Sequence, residues 1–231
     1  MRFAFVSGEK KEAAPGLKGT CVNPLCSSPM VAKCGRVKVW HWAHKGKKPC
    51  DPWYESETQW HRDWKDKFPR EWQEVVDHNA QSGEIHIADV KTPHGLVLEF
   101  QHSPMPPAEM KSREDFYAEM VWIVDGLRGE LDLSYFRMGL SGPIQADPAA
   151  YAVRWWGRGQ LLRNWGEAKA NVYLDFGEDV IWRLISFDPK EKAGVVGPVA
   201  RDSFVEDCVS GAAFRMLANG PDLPAPLVRL R

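Results

Sequence analysis

The chain has 231 residues, enough for one large domain or two unequal ones, and its 44% hydrophobic against 26% charged residues is a globular balance. That composition excludes disorder, collagen and long coiled coils. No apolar run approaches the roughly 20 residues of a spanning helix, and the N-terminus lacks an apolar signal core, so a cytoplasmic protein with no membrane partner is expected.

The net charge of −1 hides an asymmetry. Residues 1–50 carry ten Lys/Arg against two Asp/Glu, a net of +8, while residues 51–231 carry twenty against twenty-nine, a net of −9. A basic N-terminal segment joined to an acidic body suggests nucleic-acid contact through the former, with a merely solvated surface as the alternative. Four of the five cysteines, Cys21, Cys26, Cys34 and Cys50, fall in that basic segment. Without a secretion signal such a cluster reads as metal-binding rather than disulfide-bonded.

In chain order, Phe3–Ser7 predicts a short strand, followed by a polar loop to Thr20. Met30–Lys33 and Val37–Trp40 predict a hairpin turning at Cys34-Gly35. Cys21 and Cys26 stand ahead of it with four residues between them; His41, His44 and Cys50 stand behind it. Two short-spaced ligand sets flanking a hairpin suit a closed tetrahedral zinc site. The expected ligands are Cys21, Cys26, Cys50 and one histidine, His44 ahead of His41, with Cys34 left out. In a segment poor in large apolar residues, zinc would supply much of the folding free energy. The plainer alternative is free cysteines and solvated histidines.

The next predicted element is a helix from Ser56, capped by an S-x-x-Q box with Gln59 and ending before Pro69. Trp60, Trp64 and Phe68 form its buried stripe, and Glu57, His61 and Lys65 an adjacent strip. Strands follow at Gln73–Asp77 and Glu84–Lys91, then a turn at Thr92-Pro93-His94-Gly95 and a strand over Leu96–Gln101. A helix from Pro106-Pro107 to about Glu119 leads to a buried strand, Val121–Asp125. The order helix, strand, strand, strand, helix, strand predicts an α/β core. Beyond Gly129, residues 148–168 read as a helix, Val172–Phe176 and Val180–Phe187 as a hairpin, and Ser203–Asn219 as a last helix. The expected division is a zinc-binding, β-rich module over residues 1–54 and a larger domain over residues 55–231.

The most informative stretch is Ile85-His86-Ile87-Ala88-Asp89-Val90, a turn, then Leu96-Val97-Leu98-Glu99-Phe100-Gln101. Period-two alternation sets Glu99 and Gln101 on one face of the strand and Leu98 and Phe100 on the other. An acid in so apolar a strand needs a partner, and a magnesium or manganese ion shared with Asp89 is a natural one. This arrangement is that of the PD-(D/E)XK nucleases, a restriction-endonuclease-like fold in which an upstream acid, here Glu57, often stands near the metal. Each acid taken singly is more often structural, and it is their joint spacing that favours function. Farther on, Arg154-Trp155-Trp156-Gly157-Arg158 with Arg163, Trp165 and Lys169 mixes cations and aromatics as a single-strand-binding surface would, although paired tryptophans are more often core.

The run Cys21…Cys26, His41-Trp42-Ala43-His44-Lys45, Cys50, Glu57…His61…Lys65, Ala88-Asp89-Val90 and Glu99-Phe100-Gln101-His102-Ser103-Pro104 resembles the CoiA family of competence proteins. The resemblance covers about residues 20–126. It implies a PD-(D/E)XK core preceded by a zinc-finger-like segment, with Asp89 and Glu99 as metal-binding acids and Gln101 at the position of the usual lysine. Arg113 and Tyr117 match the helix after the active-site strand. The family's opening cysteines commonly have two residues between them, where this chain has four.

The function expected from these residues is metal-dependent hydrolysis of phosphodiester bonds, with DNA as partner. Asp89, Glu99, Gln101 and Glu57 would form the catalytic set around Mg²⁺ or Mn²⁺. Zn²⁺ would be structural, and Lys45, Lys47, Lys48 and Arg113 would contact nucleic acid. The runner-up is a nucleic-acid-binding protein of the same fold without catalysis; a protein-interaction subunit is third.

Overall fold

The computed structural model describes residues 1–46, 49–80, 82–146, 149–155 and 159–213. Lys47, Lys48, residues 156–158 and the part of the expected last helix beyond residue 213 therefore lie outside the described residues.

The chain opens with five short strands: β1 (Phe3–Val6), β2 (Glu9–Glu12), β3 (Lys18–Thr20), β4 (Pro29–Lys33) and β5 (His41–His44). They form an antiparallel sheet in the order β2-β1-β3-β4-β5. The segment expected to be a polar loop thus contains two strands. Ser7 and Gly8, both at positive φ, turn β1 back onto β2, and Glu9–Glu12 pairs as an edge strand despite having no apolar residue. The hairpin pairs Lys33 with His41, so residues 34–40, the whole of the expected strand Val37–Trp40 included, form the loop, and the second strand is His41–His44. Phe3, Met30 and Trp42 fill a small core that Val76 and Ile87 of the larger sheet extend.

The larger unit begins with helix α1 (Gln59–Lys65), a 3-10 turn (Arg70–Trp72), and strands β6 (Gln73–His78), β7 (Ile85–Lys91) and β8 (Val97–Gln101). Helix α2 (Pro107–Phe116) and strand β9 (Met120–Asp125) follow. The expected order of helix, three strands, helix and strand is present, with β8 and β9 parallel. The cap of α1 is Thr58 rather than Ser56: Thr58 and His61 make the box, because the chain before Thr58 is not helical.

After β9 come α3 (Asp132–Gly139), β10 (Leu140–Ala146), β11 (Ala149–Arg154), α4 (Leu161–Trp165), β12 (Asn171–Asp175), β13 (Val180–Asp188), β14 (Ala193–Ala200) and α5 (Arg201–Ser210). The second sheet has nine strands in the order β10-β11-β14-β13-β12-β9-β8-β7-β6. Residues 148–168 are therefore mostly not helical. Tyr151–Arg154 of β11 pair with β14, while Ala149 and Ala150 pair with β10, and this strand pairing overrides helix propensity. The expected β12–β13 hairpin is present, and β12 also runs parallel to β9. Trp155 and Trp165 lie in the core, so the mixed cation–aromatic segment does not present them as a surface.

Alternation along β8 and β9 splits the core in two. Leu98, Phe100, Val121 and Ile123 join Trp64, Phe68 and Phe204 under α1 and α5. Val97, Trp122 and Val124 join Met110, Phe136 and Leu162 under α2, α3 and α4. A buried acid ties the first layer together. Asp175, at the end of β12, accepts from Trp60 Nε1 at 2.9 Å, Trp64 Nε1 at 2.8 Å, Arg201 Nη2 at 2.6 Å and the Gly177 amide at 2.9 Å. It thereby clamps both α1 and the start of α5 to the sheet. Asp175→Ala, which leaves the Arg201 charge and two indole donors uncompensated, is expected to cost about 3–5 kcal/mol in urea unfolding. A loss below about 1 kcal/mol would show that the clamp is incidental.

Candidate functional site

The cysteine cluster assembles as the spacing suggests. The four residues between Cys21 and Cys26 form a tight loop built on Asn23. The Asn23 carbonyl accepts from the Cys26 and Ser27 amides at 3.0 Å each, and its side-chain oxygen from the Leu25 amide at 3.0 Å. Ser27 at φ 43° closes the turn, and the Cys21 amide meets Ser28 O at 2.9 Å. His44 ends β5 directly opposite Met30, and Cys50 arrives from the following loop. The donor atoms of Cys21, Cys26, His44 and Cys50 all lie within 4.8 Å of one another. Cys21 Sγ and Cys50 Sγ are 3.6 Å apart, and Cys26 Sγ and His44 Nε2 are 3.3 Å apart.

Tetrahedral zinc with bonds of about 2.0–2.3 Å separates its ligand atoms by roughly 3.3–3.8 Å, so this Cys3His set fits a structural zinc ion. None of the cysteines is in a disulfide. Cys34 and His41 stand outside the group; His41 Nδ1 is bonded to Val39 O at 2.9 Å. The Asn23 amide and side chain donate to Cys21 Sγ and Cys50 Sγ at 3.4 and 3.9 Å, the outer support that thiolate ligands need. Without a metal, burial pushes the Cys21 and Cys50 thiols up, so zinc binding must release protons. Protein prepared without chelators should hold about one zinc per chain, dropping below about 0.2 in Cys21→Ser or Cys50→Ser and unchanged in Cys34→Ser. Metal analysis that finds no zinc in a folded wild type would remove the site.

Cys50 and His44 also line one side of a cavity of about 60 Å³ whose other side is β7 and β8. From Cys50 the chain turns at Asp51–Tyr54, where the Tyr54 amide donates to Asp51 O at 3.3 Å, and continues without regular structure to α1. Asp51 docks it on β7, accepting from His86 Nδ1 at 3.0 Å and the Ile87 amide at 2.8 Å, while Trp53 stacks on the His86 ring. The cavity exists because β7 and β8 part. They pair at Val90–Leu98 and Lys91–Val97, and then the ladder stops. Beyond the fork, the Asp89 amide donates to Glu99 Oε1 at 3.2 Å and the Phe100 amide to Asp89 Oδ2 at 3.0 Å. Each acid thus takes the place of a strand, satisfying a backbone donor that the separation exposes.

Charge is crowded there. Asp51, Glu55, Glu57, Glu74, Asp89 and Glu99 line the cavity against two cationic side chains, Lys65 and Arg113. Lys65 Nζ sits 2.9 Å from Asp89 Oδ1, 3.1 Å from Glu57 Oε1 and 3.5 Å from Glu74 Oε1. Burial opposes its charge, but those carboxylates hold its pKa well above the ordinary value. Burial likewise opposes the charge of Glu57, which Lys65 and Arg62 keep ionised. Glu74, in a left-handed conformation at φ 46°, accepts from the Arg2 and Phe3 amides and so fastens β1 to this wall.

The sequence-predicted residues Asp89, Glu99, Gln101 and Glu57 all line this cavity. His61 and Lys65 do as well, both buried rather than solvated. Arg113 is also buried: Nη1 pairs with Glu99 Oε2 at 3.1 Å, and Nη2 with Glu109 Oε1 at 2.6 Å and Trp53 O at 2.8 Å. The Gln101 amide donates to Glu55 Oε2 at 3.0 Å and to Ser103 O at 2.8 Å. Sequence reasoning missed Glu55, which also accepts from the Ser103 amide at 2.7 Å. Its signal is its place two residues before Glu57 in the lead-in to α1.

Burial, reinforced by Asp89 and opposed by Arg113, pushes the Glu99 carboxyl up to about 8 from its ordinary 4.5. The folded state therefore holds a proton that the unfolded chain releases, and stability from this source is lost as pH rises from 4.5 through 8. In magnesium-free buffer, Glu99→Gln, still an acceptor for the Asp89 amide, should flatten the fall of Tm across that window. Parallel curves for the two proteins would contradict the assignment. No family model, curated protein or solved structure matches the chain.

Proposed function

We propose that this protein is a metal-dependent nuclease with a restriction-endonuclease-like core, similar to the CoiA competence proteins, that hydrolyses phosphodiester bonds of DNA. The observation that carries the reading is the fork between β7 and β8, where six carboxyl groups meet two cationic side chains and the Met1 amino group. Each oxygen of Asp89 and Glu99 engages one donor. A carboxylate oxygen has two lone pairs, so a hard cation can be added without displacing those donors. Magnesium or manganese held by Asp89 and Glu99 would polarise the phosphate and acidify the attacking water.

The surrounding residues divide the remaining work. Both amide hydrogens of Gln101 are engaged, so it offers its carbonyl oxygen and can orient a water by accepting a hydrogen bond from it. The positive charge that a lysine would bring to that position comes instead from Lys65 on α1, fixed by Glu57 and Glu74. Arg113 acts beneath the site by holding Glu99. Attraction of nucleic acid falls to the basic N-terminal segment, Lys45 with Lys47 and Lys48, by charge and with steep salt dependence.

Zinc-loaded protein with Mn²⁺ or Mg²⁺ should cleave DNA, and Asp89→Ala and Glu99→Ala should reduce cleavage by at least about 10³-fold. Gln101→Ala should be slower but active. Equal cleavage by wild type and Glu99→Ala would move the chemistry elsewhere. One observation favours a second reading, a binding protein without catalysis: Lys65 and Arg113 already pair with Asp89 and Glu99. That reading requires no metal-dependent cleavage of single- or double-stranded DNA or RNA by any variant.

A further inference from the structure

The capping box of α1 fixes more than a helix end. The backbone N–H of Thr58 donates to His61 Nδ1 at 3.1 Å, so Nδ1 carries a lone pair and the ring proton sits on Nε2. His61 is only 3% exposed, and Nε2 has no hydrogen-bond partner among the described residues. It is one of the groups lining the acidic cavity. The nearest acidic oxygen, Glu55 Oε2, is 3.8 Å away and already receives Gln101 Nε2, while Glu55 Oε1 receives the Ser103 amide.

A buried donor without an acceptor is a rare and unfavourable feature, tolerated where a ligand supplies the missing partner. The tautomer decides which ligand. A nitrogen that bears hydrogen cannot coordinate a metal, so Nε2 is closed to the cation that Asp89 and Glu99 would share. What it can meet is an oxygen acceptor. Six carboxyl groups already crowd the cavity, which disfavours another free carboxylate but not a phosphate arriving with its own cation.

We propose that His61 Nε2–H donates a hydrogen bond to a non-bridging phosphate oxygen of a bound nucleic-acid strand, with Glu55 as the positioning residue that holds Gln101 beside it. This rests on the nuclease reading for its ligand but not for its test. His61→Gln is the informative variant, since glutamine at this helix position is an ordinary capping-box residue and can accept from Thr58 while withdrawing the ring donor.

Binding of short DNA and RNA oligonucleotides to zinc-loaded protein, with calcium supplied as the accompanying cation in place of magnesium or manganese, should weaken about tenfold in His61→Gln at unchanged Tm. Long-range ¹⁵N spectra of the wild type should show the proton on Nε2 and a shift of that nitrogen when oligonucleotide is added. Equal affinity of wild type and a folded His61→Gln, a proton on Nδ1, or an Nε2 signal unmoved by saturating oligonucleotide would each overturn the proposal. If the affinity loss appears but no protein cleaves with Mn²⁺, the contact stands and the nuclease reading falls. If wild type and His61→Gln cleave and bind alike, the nuclease reading stands and the contact falls.

Discussion

The structure depends on two strands that stop pairing. After Val90–Leu98 the β7–β8 ladder opens, and Asp89 and Glu99 reach across to the amides that lost their strand partner. The buried Glu99 and the partly buried Asp89 are thereby set side by side, where their repulsion is strengthened because little water reaches Glu99. Everything around the fork answers that repulsion. Lys65 comes up from α1, Arg113 comes down from α2, and the Glu99 carboxyl moves toward its neutral form. Protonation and cation binding are the two ways to relieve such a site, and they compete for the same oxygens.

The zinc cluster belongs to the same construction. Cys50 is both a candidate zinc ligand and the first residue of the strap that carries Asp51, Glu55 and Glu57 along the cavity. Asp51 on the β7 backbone and Trp53 on His86 lay that strap down, and Glu74 ties β1 to the same wall from the other side. Zinc held by Cys21, Cys26, His44 and Cys50 would therefore also brace one wall of the acidic cavity. The clamp at Asp175 does the equivalent for α1 from the opposite layer, fixing the helix that delivers His61 and Lys65.

Much of this was legible in the sequence, and the failures have physical causes. The four zinc donors were readable because metal ligands impose spacing within one short segment. The α/β core was readable because turn residues bound its strands and β8 is apolar on alternate positions. The carboxylate set was readable as a pattern, but its partners were not. Lys65 and Arg113 come from helices whose packing no local pattern reveals, and the pattern that sets His61 on a strip beside the buried stripe does not decide its burial. The fork itself is invisible in sequence, since alternation predicts a continuous hairpin. The region after Gly129 misled for a related reason. Ala149–Arg154 has helix-forming alanines, yet its partner, Ala193–Ala200, lies some forty residues away in sequence and was not seen as a strand at all.

The central claim is that the fork holds a divalent cation which its own lysine and arginine do not fully replace. Manganese binding to zinc-loaded protein, followed by electron paramagnetic resonance or calorimetry, tests it without requiring turnover. The account predicts one Mn²⁺ per chain in addition to the zinc, taken up with proton release near neutral pH and lost in Asp89→Ala and Glu99→Gln. A folded wild type that takes up no Mn²⁺ at millimolar concentration, or binds it equally well in both variants, would contradict the account.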